Sequence, residues 1–146
     1  MSRSLDEVRI RAEQGLTGSQ ITLGHYYLMG RDSDGNEFPQ DFIKAKFWFE
    51  RAHEQGAFTA TVILGTMHEE GKGMPVDIRK AIELYELAAR RGAYLPCLYL
   101  ARIFAQGKGI EKSPQLAAEW YQEVLAFEDN SEDISEAREF LNHIAG

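Results

Sequence analysis

Four places in this sequence carry residue types that could do chemistry. His68-Glu69-Glu70 and His53-Glu54 bring an imidazole beside carboxylates, the combination a metal site or a general acid-base pair needs. Neither histidine has a second one four residues on, so one helical turn offers only a single nitrogen ligand. The segment from Gly65 to Gly71-Lys72 superficially matches a phosphate-binding loop. Its spacing is one residue too long, Gly73 stands where a serine or threonine should bind magnesium, and no strand pattern precedes it. Cys97 has no basic neighbour close in sequence to stabilise a thiolate, and it reads as a small packing residue. His25 and His143 belong to no constellation. No cofactor, metal ligand set or catalytic residue is therefore assigned. A hydrolase or sugar-processing enzyme using His68 with Glu69 or Glu70 remains as the alternative.

The elements that would hold these residues are visible as a repeat. Ala45, Ala81 and Ala117 stand thirty-six residues apart, each followed by an aromatic or apolar pair: Trp48-Phe49, Leu84-Tyr85 and Trp120-Tyr121. Upstream of each, Leu23-Gly24, Leu64-Gly65 and Leu100-Ala101 recur, as do Gly30, Gly71-Lys72-Gly73 and Gly107-Lys108-Gly109. A period of this length signals helix-turn-helix units stacked on one another. In the second unit the spacing predicts one helix over 59–70, with Ala60, Leu64 and His68 on a stripe. A second helix is predicted over 77–91, with Ile82, Tyr85 and Ala89 inward. Asp77 and Ser113-Pro114 read as helix starts, and Gly56 and Gly92 as helix stops. Pro96 falls in a first turn, where its missing amide hydrogen costs little. The mid-helix Gly24, Gly65 and Ala101, with Ala45, Ala81 and Ala117, predict close helix approach. Trp48, Tyr85 and Tyr121 would fill the wider gaps.

The expected organisation is a single domain of about three repeats. It comprises an N-terminal capping helix in 1–16, repeats at 17–56, 57–92 and 93–128, and a C-terminal capping helix in 129–146. Leu5, Val8, Ala12 and Gly15 fit a lone second helix, and Ala137 and Leu141 a lone first helix. Gly30 to Ala45 is five residues longer than Gly71 to Ala81, and the extra length falls in the polar run Arg31–Pro39. Asp129-Asn130 stands where the third closing glycine is expected.

These residues resemble the Sel-1-like repeats, relatives of the tetratricopeptide solenoids. Ala60, Leu64, Gly65, Gly71, Gly73, Asp77, Lys80, Ala81, Tyr85, Ala88, Ala89 and Gly92 match the family phrase in the second unit, with His68 in place of its tyrosine. The first unit keeps Leu23, Gly24, Tyr27, Gly30, Asp41, Lys44, Ala45, Trp48, Phe49, Ala52 and Gly56; in the third, Ala101 and Ser113 replace glycine and aspartate. The resemblance implies an all-α, right-handed α-solenoid that acts as a scaffold or adaptor for proteins. Bacterial members resemble regulatory, secretion or host-interaction modules, and a narrower reading of this chain is an immunity or secretion-associated protein for a specific toxin or effector.

On that reading function lies on faces. The first helices carry Tyr26 and Met29, Ile63 and Met67, and Tyr99 and Ile103. Tyr26, Met67 and Ile103 would form one row, and Thr22, Ile63 and Tyr99 a second, making a concave apolar groove rimmed by Glu70, Arg102 and Gln106 for a protein or peptide partner. Ordinary inter-helix packing is the competing reading of the same rows. Phe127, Phe140 and Ile144 near the C-terminus offer a self-association surface and hence a homo-oligomer. The chain has 146 residues, 44% of them hydrophobic, and a net charge of −7, which argues against a nucleic-acid partner. A single cysteine allows no internal disulfide, and no apolar stretch suggests a signal peptide or a membrane span. The expected location is cytoplasmic.

Overall fold

The computed structural model describes residues 5–127 and 131–145; the Asp129-Asn130 position lies outside them. Eight helices follow in order: α1 (Leu5–Glu13), α2 (Thr17–Met29), α3 (Phe42–Glu54), α4 (Phe58–Glu70), α5 (Ile78–Ala89), α6 (Tyr94–Gln106), α7 (Pro114–Leu125) and α8 (Ser131–Ala145). The described residues contain no strand beyond one isolated bridge, Arg31 to Glu37. No described helix is long and apolar enough to cross a membrane. The chain divides into two compact units, Met1–Val76 and Asp77–Gly146.

Local chemistry sets the helix starts. Asp41, Asp77 and Ser113 each sit in extended backbone and accept a hydrogen bond from the amide three residues on, at 3.0, 3.0 and 3.2 Å. Each satisfies an amide that the first turn would leave without a partner. Asp77→Ala should destabilise the protein by about 1 kcal/mol, lowering Tm by about 3 °C in a calorimetric melt. An unchanged Tm would show that water replaces the cap without loss.

In the first unit, α1 packs on α2, α2 on α3, and α3 on α4. The core holds Val8, Ala12, Leu23, Ala45, Phe49, Ala52, Ala60 and Leu64. Its central contact is Phe49 against α2, where a Cβ on Gly24 would stand 2.8 Å from the Phe49 ring. The mid-helix glycine is therefore space for an aromatic ring. The His25 ring meets the same ring in a T-shaped arrangement, with centroids 5.3 Å apart. In repeat 1 the gap is thus filled by Phe49 and not by Trp48, which stays half-buried. Phe49, Tyr85 and Tyr121 share one repeat position four residues after the buried alanine, one turn along the helix on the same stripe. Trp48 is one residue, about 100°, away from it.

The Arg31–Pro39 insertion is more ordered than its polar composition suggests. The Asp32 carboxylate accepts from the amides of Asp34 and Asn36, each at 2.9 Å. Phe38 is buried against Tyr26 and Tyr27, with ring centroids at 5.7 and 4.8 Å. The Gln40 amide donates to the Leu28 carbonyl at 2.9 Å. One aromatic residue in a polar run closes the end of α2.

In the second unit, α5 packs on α6, α6 on α7, and α7 on α8. Tyr85, Leu98, Leu100, Ala101, Ala117, Val124 and Ala137 are buried. On α5 the inward residues are Ile78, Ala81, Leu84, Tyr85 and Ala88; Ile82 and Ala89 lie at the edge of that face. The Gly107-Lys108-Gly109 turn has a mechanical explanation: Gly107 ends α6 in the left-handed conformation, and a Cβ on Gly109 would meet Ile78 at 2.5 Å. The glycines of this turn serve chain direction and close approach to α5.

Candidate functional site

Residues expected on the partner-binding face fall into three groups. The first is internal: Tyr26 is 8% exposed, Met67 0% and Ile103 1%. Each lies three residues after the repeat leucine (Leu23, Leu64 or Leu100), which puts both on one buried stripe. Their backbone carbonyls also accept the amide of the glycine that ends each helix. The Tyr26 hydroxyl pairs with Ser33 Oγ at 3.0 Å, within the insertion. The packing reading of this row is the one that burial supports, and the leucine spacing was the signal for it.

The second group reaches solvent. Met29 is 60% exposed at the end of α2, and Thr22, Ile63 and Tyr99 are half-buried. Gln106 is exposed, and Glu70 is exposed with its carboxylate 3.0 Å from Lys72 Nζ.

Arg102 forms the third group, because it is held from another helix. Its Nε donates to Glu136 at 3.0 Å and its Nη2 at 2.8 Å, a two-pronged contact from α6 to α8. Asp133 stands 3.9 Å away, and the Tyr121 hydroxyl donates to the same Glu136 carboxylate at 2.8 Å. The Arg102 hydrogen bonds hold Glu136 below the usual carboxylate range, against the opposing effect of burial and with help from Tyr121. Burial, then the bond to Glu136, pushes the Tyr121 hydroxyl up. A lowered carboxylate contributes stability above its unfolded value, near 4.3, that is lost as pH falls through the folded value. Glu136→Gln should therefore flatten the loss of stability below about pH 4.5, read from urea midpoints across pH. An acid limb identical to the parent's would sink this assignment.

The residues with chemical potential do not converge. His68 is half-buried on α4 beside Glu69 and Glu70. His53 Nδ1 lies 2.7 Å from the Thr61 hydroxyl, which donates to the Ala57 carbonyl at 3.2 Å. Burial lowers the His25 pKa, which favours its neutral form against Phe49. His143 is exposed on α8. Cys97 is buried, and its thiol is pushed up to about 11, chiefly by desolvation and then by the Glu123 charge. It is a weak nucleophile at neutral pH. Among the described residues no group of three or more His, Cys, Asp or Glu is placed to hold a metal ion. At the C-terminal end, Phe127 meets Tyr94 at 5.9 Å between centroids and Phe140 meets Tyr121 at 4.8 Å, leaving Ile144 the exposed member of that trio.

Known proteins point the same way. A Sel1 repeat protein from Oxalobacter formigenes is 28% identical with a TM-score of 0.73, over 94% of this chain and 99% of that one. A protective antigen present in uropathogenic Escherichia coli strains, displaying an SLR fold, is 29% identical with a TM-score of 0.76 over 86% of this chain. The match spans only 26% of the antigen's length. Helicobacter pylori cysteine rich protein B, at 20% identity and a TM-score of 0.64 over 90% of this chain and 96% of that one, shares the fold. No curated protein matches the sequence. The Sel1 repeat model matches residues 19–56, 60–92 and 97–123, more than half of the chain. With three matched segments, each pairing a first helix with a capped second one, the chain belongs to the Sel1 repeat family.

Proposed function

We propose that this protein is a non-catalytic scaffold or adaptor that holds a protein partner on the outward side of its first helices. The setting would be the cytoplasm of a bacterium, in a regulatory, secretion-associated or immunity role. The supporting observation is what those helices leave at the surface once their leucine stripes are buried. Met29 in the first unit is largely exposed, and Ile63 there and Tyr99 in the second unit are half-buried, the Tyr99 ring also meeting Tyr85 with centroids 5.4 Å apart. Methionine and tyrosine suit adaptable contacts, because one is flexible and polarisable and the other is amphipathic. A single buried thiol suits a reducing compartment.

The test is affinity purification of the tagged chain with mass spectrometry of what it retains. One stoichiometric partner is expected, lost from a Met29→Asp, Tyr99→Ala variant whose circular dichroism matches the parent. Undiminished recovery by that variant would move the partner away from the first helices. Absence of any stoichiometric partner would remove the scaffold reading itself.

A further inference from the structure

The second unit carries a cleft whose charged lining residues lie outside the repeat phrase. An open cleft of about 690 Å³ lies between α5 and α7, with Cys97 and Phe104 of α6 among its lining residues. Leu116 and Trp120 line the α7 wall and Ala89 the α5 wall. Trp120 and Phe104 are only half-buried, and Leu116 is exposed, so part of the apolar lining faces water. Three carboxylates stand over it: Glu119 and Glu123 one turn apart on α7, and Glu86 on α5. Arg90 is the one cation in the lining. None of these four side chains forms an ion pair among the described residues.

The carboxylates on α7 are not a requirement of the repeat. At the same position of the phrase as Glu119 the first repeat has Phe47, and at that of Glu123 it has Arg51. There the arginine lies 4.7 Å over the phenyl ring. One fold position thus tolerates opposite characters. An apolar trough lined by three carboxylates and one cation, and so net negative, selects a ligand with an apolar face and positive flanks.

We propose that the α5–α7 cleft docks a basic amphipathic helix, its large apolar side chains over Phe104 and Trp120 and its lysines or arginines opposite Glu86, Glu119 and Glu123. This rests on the scaffold reading and adds a contact on the second helices, apart from the first-helix residues of that reading, with the chemical class of the segment it takes. Helix-in-groove docking places anchors every three or four residues, and the carboxylates one turn apart on α7 match that spacing.

The probe is a synthetic helical peptide with leucine on one face and lysine on the other, compared with the same peptide carrying glutamate for lysine. A Trp48→Phe background leaves Trp120 as the sole tryptophan, so its fluorescence reports on the cleft. The lysine peptide should give a saturable spectral shift that weakens with salt, and the glutamate peptide none. Glu119→Lys with Glu123→Lys should raise Kd at least about tenfold. The control pair Glu111→Lys with Glu139→Lys, exposed and outside the cleft, should leave Kd within about twofold. Equal weakening by both pairs, or equal binding of both peptides, would reduce the effect to net charge and overturn the proposal. So would self-association that the Glu119, Glu123 reversal abolishes and Arg51→Glu restores, which would make a second copy the occupant. A stoichiometric cellular partner held equally well by the reversed variant would overturn the cleft assignment and leave the scaffold reading standing.

Discussion

Met67→Asp should leave the first unit unfolded at 25 °C, whereas Met29→Asp should melt like the parent. Both methionines sit on short helices of the same unit, and both were candidates for partner contact. They differ in burial: Met67 is fully inside and Met29 is 60% exposed. At Met67 the substitution removes the packing of a buried thioether, worth about 2–5 kcal/mol, and leaves a cavity. It also places a carboxylate among apolar groups, which must protonate or draw water in, at a further cost of several kcal/mol. Total stabilities of about 5–15 kcal/mol do not absorb that sum comfortably. At Met29 the change should lie within about 0.5 kcal/mol, as for other exposed positions. Far-ultraviolet circular dichroism during thermal melts measures both. A cooperative, parent-like transition for Met67→Asp would return this row to the surface and reopen it as a binding face.

The second large effect concerns the ring that fills the gap left by Gly24. Phe49→Ala should cost about 3–5 kcal/mol, since the ring is fully buried and packs on both the α2 backbone and His25. Gly24→Ala presents two opposed terms. A helix-interior alanine is favoured over glycine by about 0.5–1 kcal/mol, yet its methyl would sit 2.8 Å from the Phe49 ring. Overpacking of this kind costs about 1–3 kcal/mol, so steric conflict should win and the variant should be less stable. The two positions touch, so their effects should not add. With leucine at position 49, which lacks the rigid ring, Gly24→Ala should become neutral or stabilising, a coupling of about 1 kcal/mol or more. Urea denaturation of the two single variants and the double variant closes this cycle. Additive values within about 0.3 kcal/mol would show that the glycine exists for some reason other than the ring.

How much of this was readable in advance differs between neighbouring residues. Asp77 and Ser113 were legible as helix starts because a cap acts on an amide three residues away, and Asp41 holds the same repeat position. Cys97 was legible as a packing residue from its lack of basic neighbours, and its burial agrees. Phe38 was not legible: inside a polar run, one phenylalanine gives no periodic signal that it will close the end of α2. Trp48 and Phe49 were distinguishable in principle by repeat register, since only Phe49 stands four residues after the alanine. Arg102 read as a rim charge because its partner Glu136 lies 34 residues away on a helix that the repeat phrase does not describe.

The amino-acid sequence by itself determined the helix-turn-helix units, their caps and turns, and the family. Those features depend on interactions three to five residues apart and on a spacing repeated three times. Tertiary structure decided how much of the first helices' remaining apolar surface is covered, leaving Met29 exposed and Ile63 and Tyr99 half-buried. It also decided that Arg102 holds α8 and that Glu86, Glu119 and Glu123 meet over one apolar cleft. A helix with apolar residues on more than one face has no sequence rule for which face its neighbours cover. Only the packing partners set that, because burial is a property of the neighbours and not of the residue.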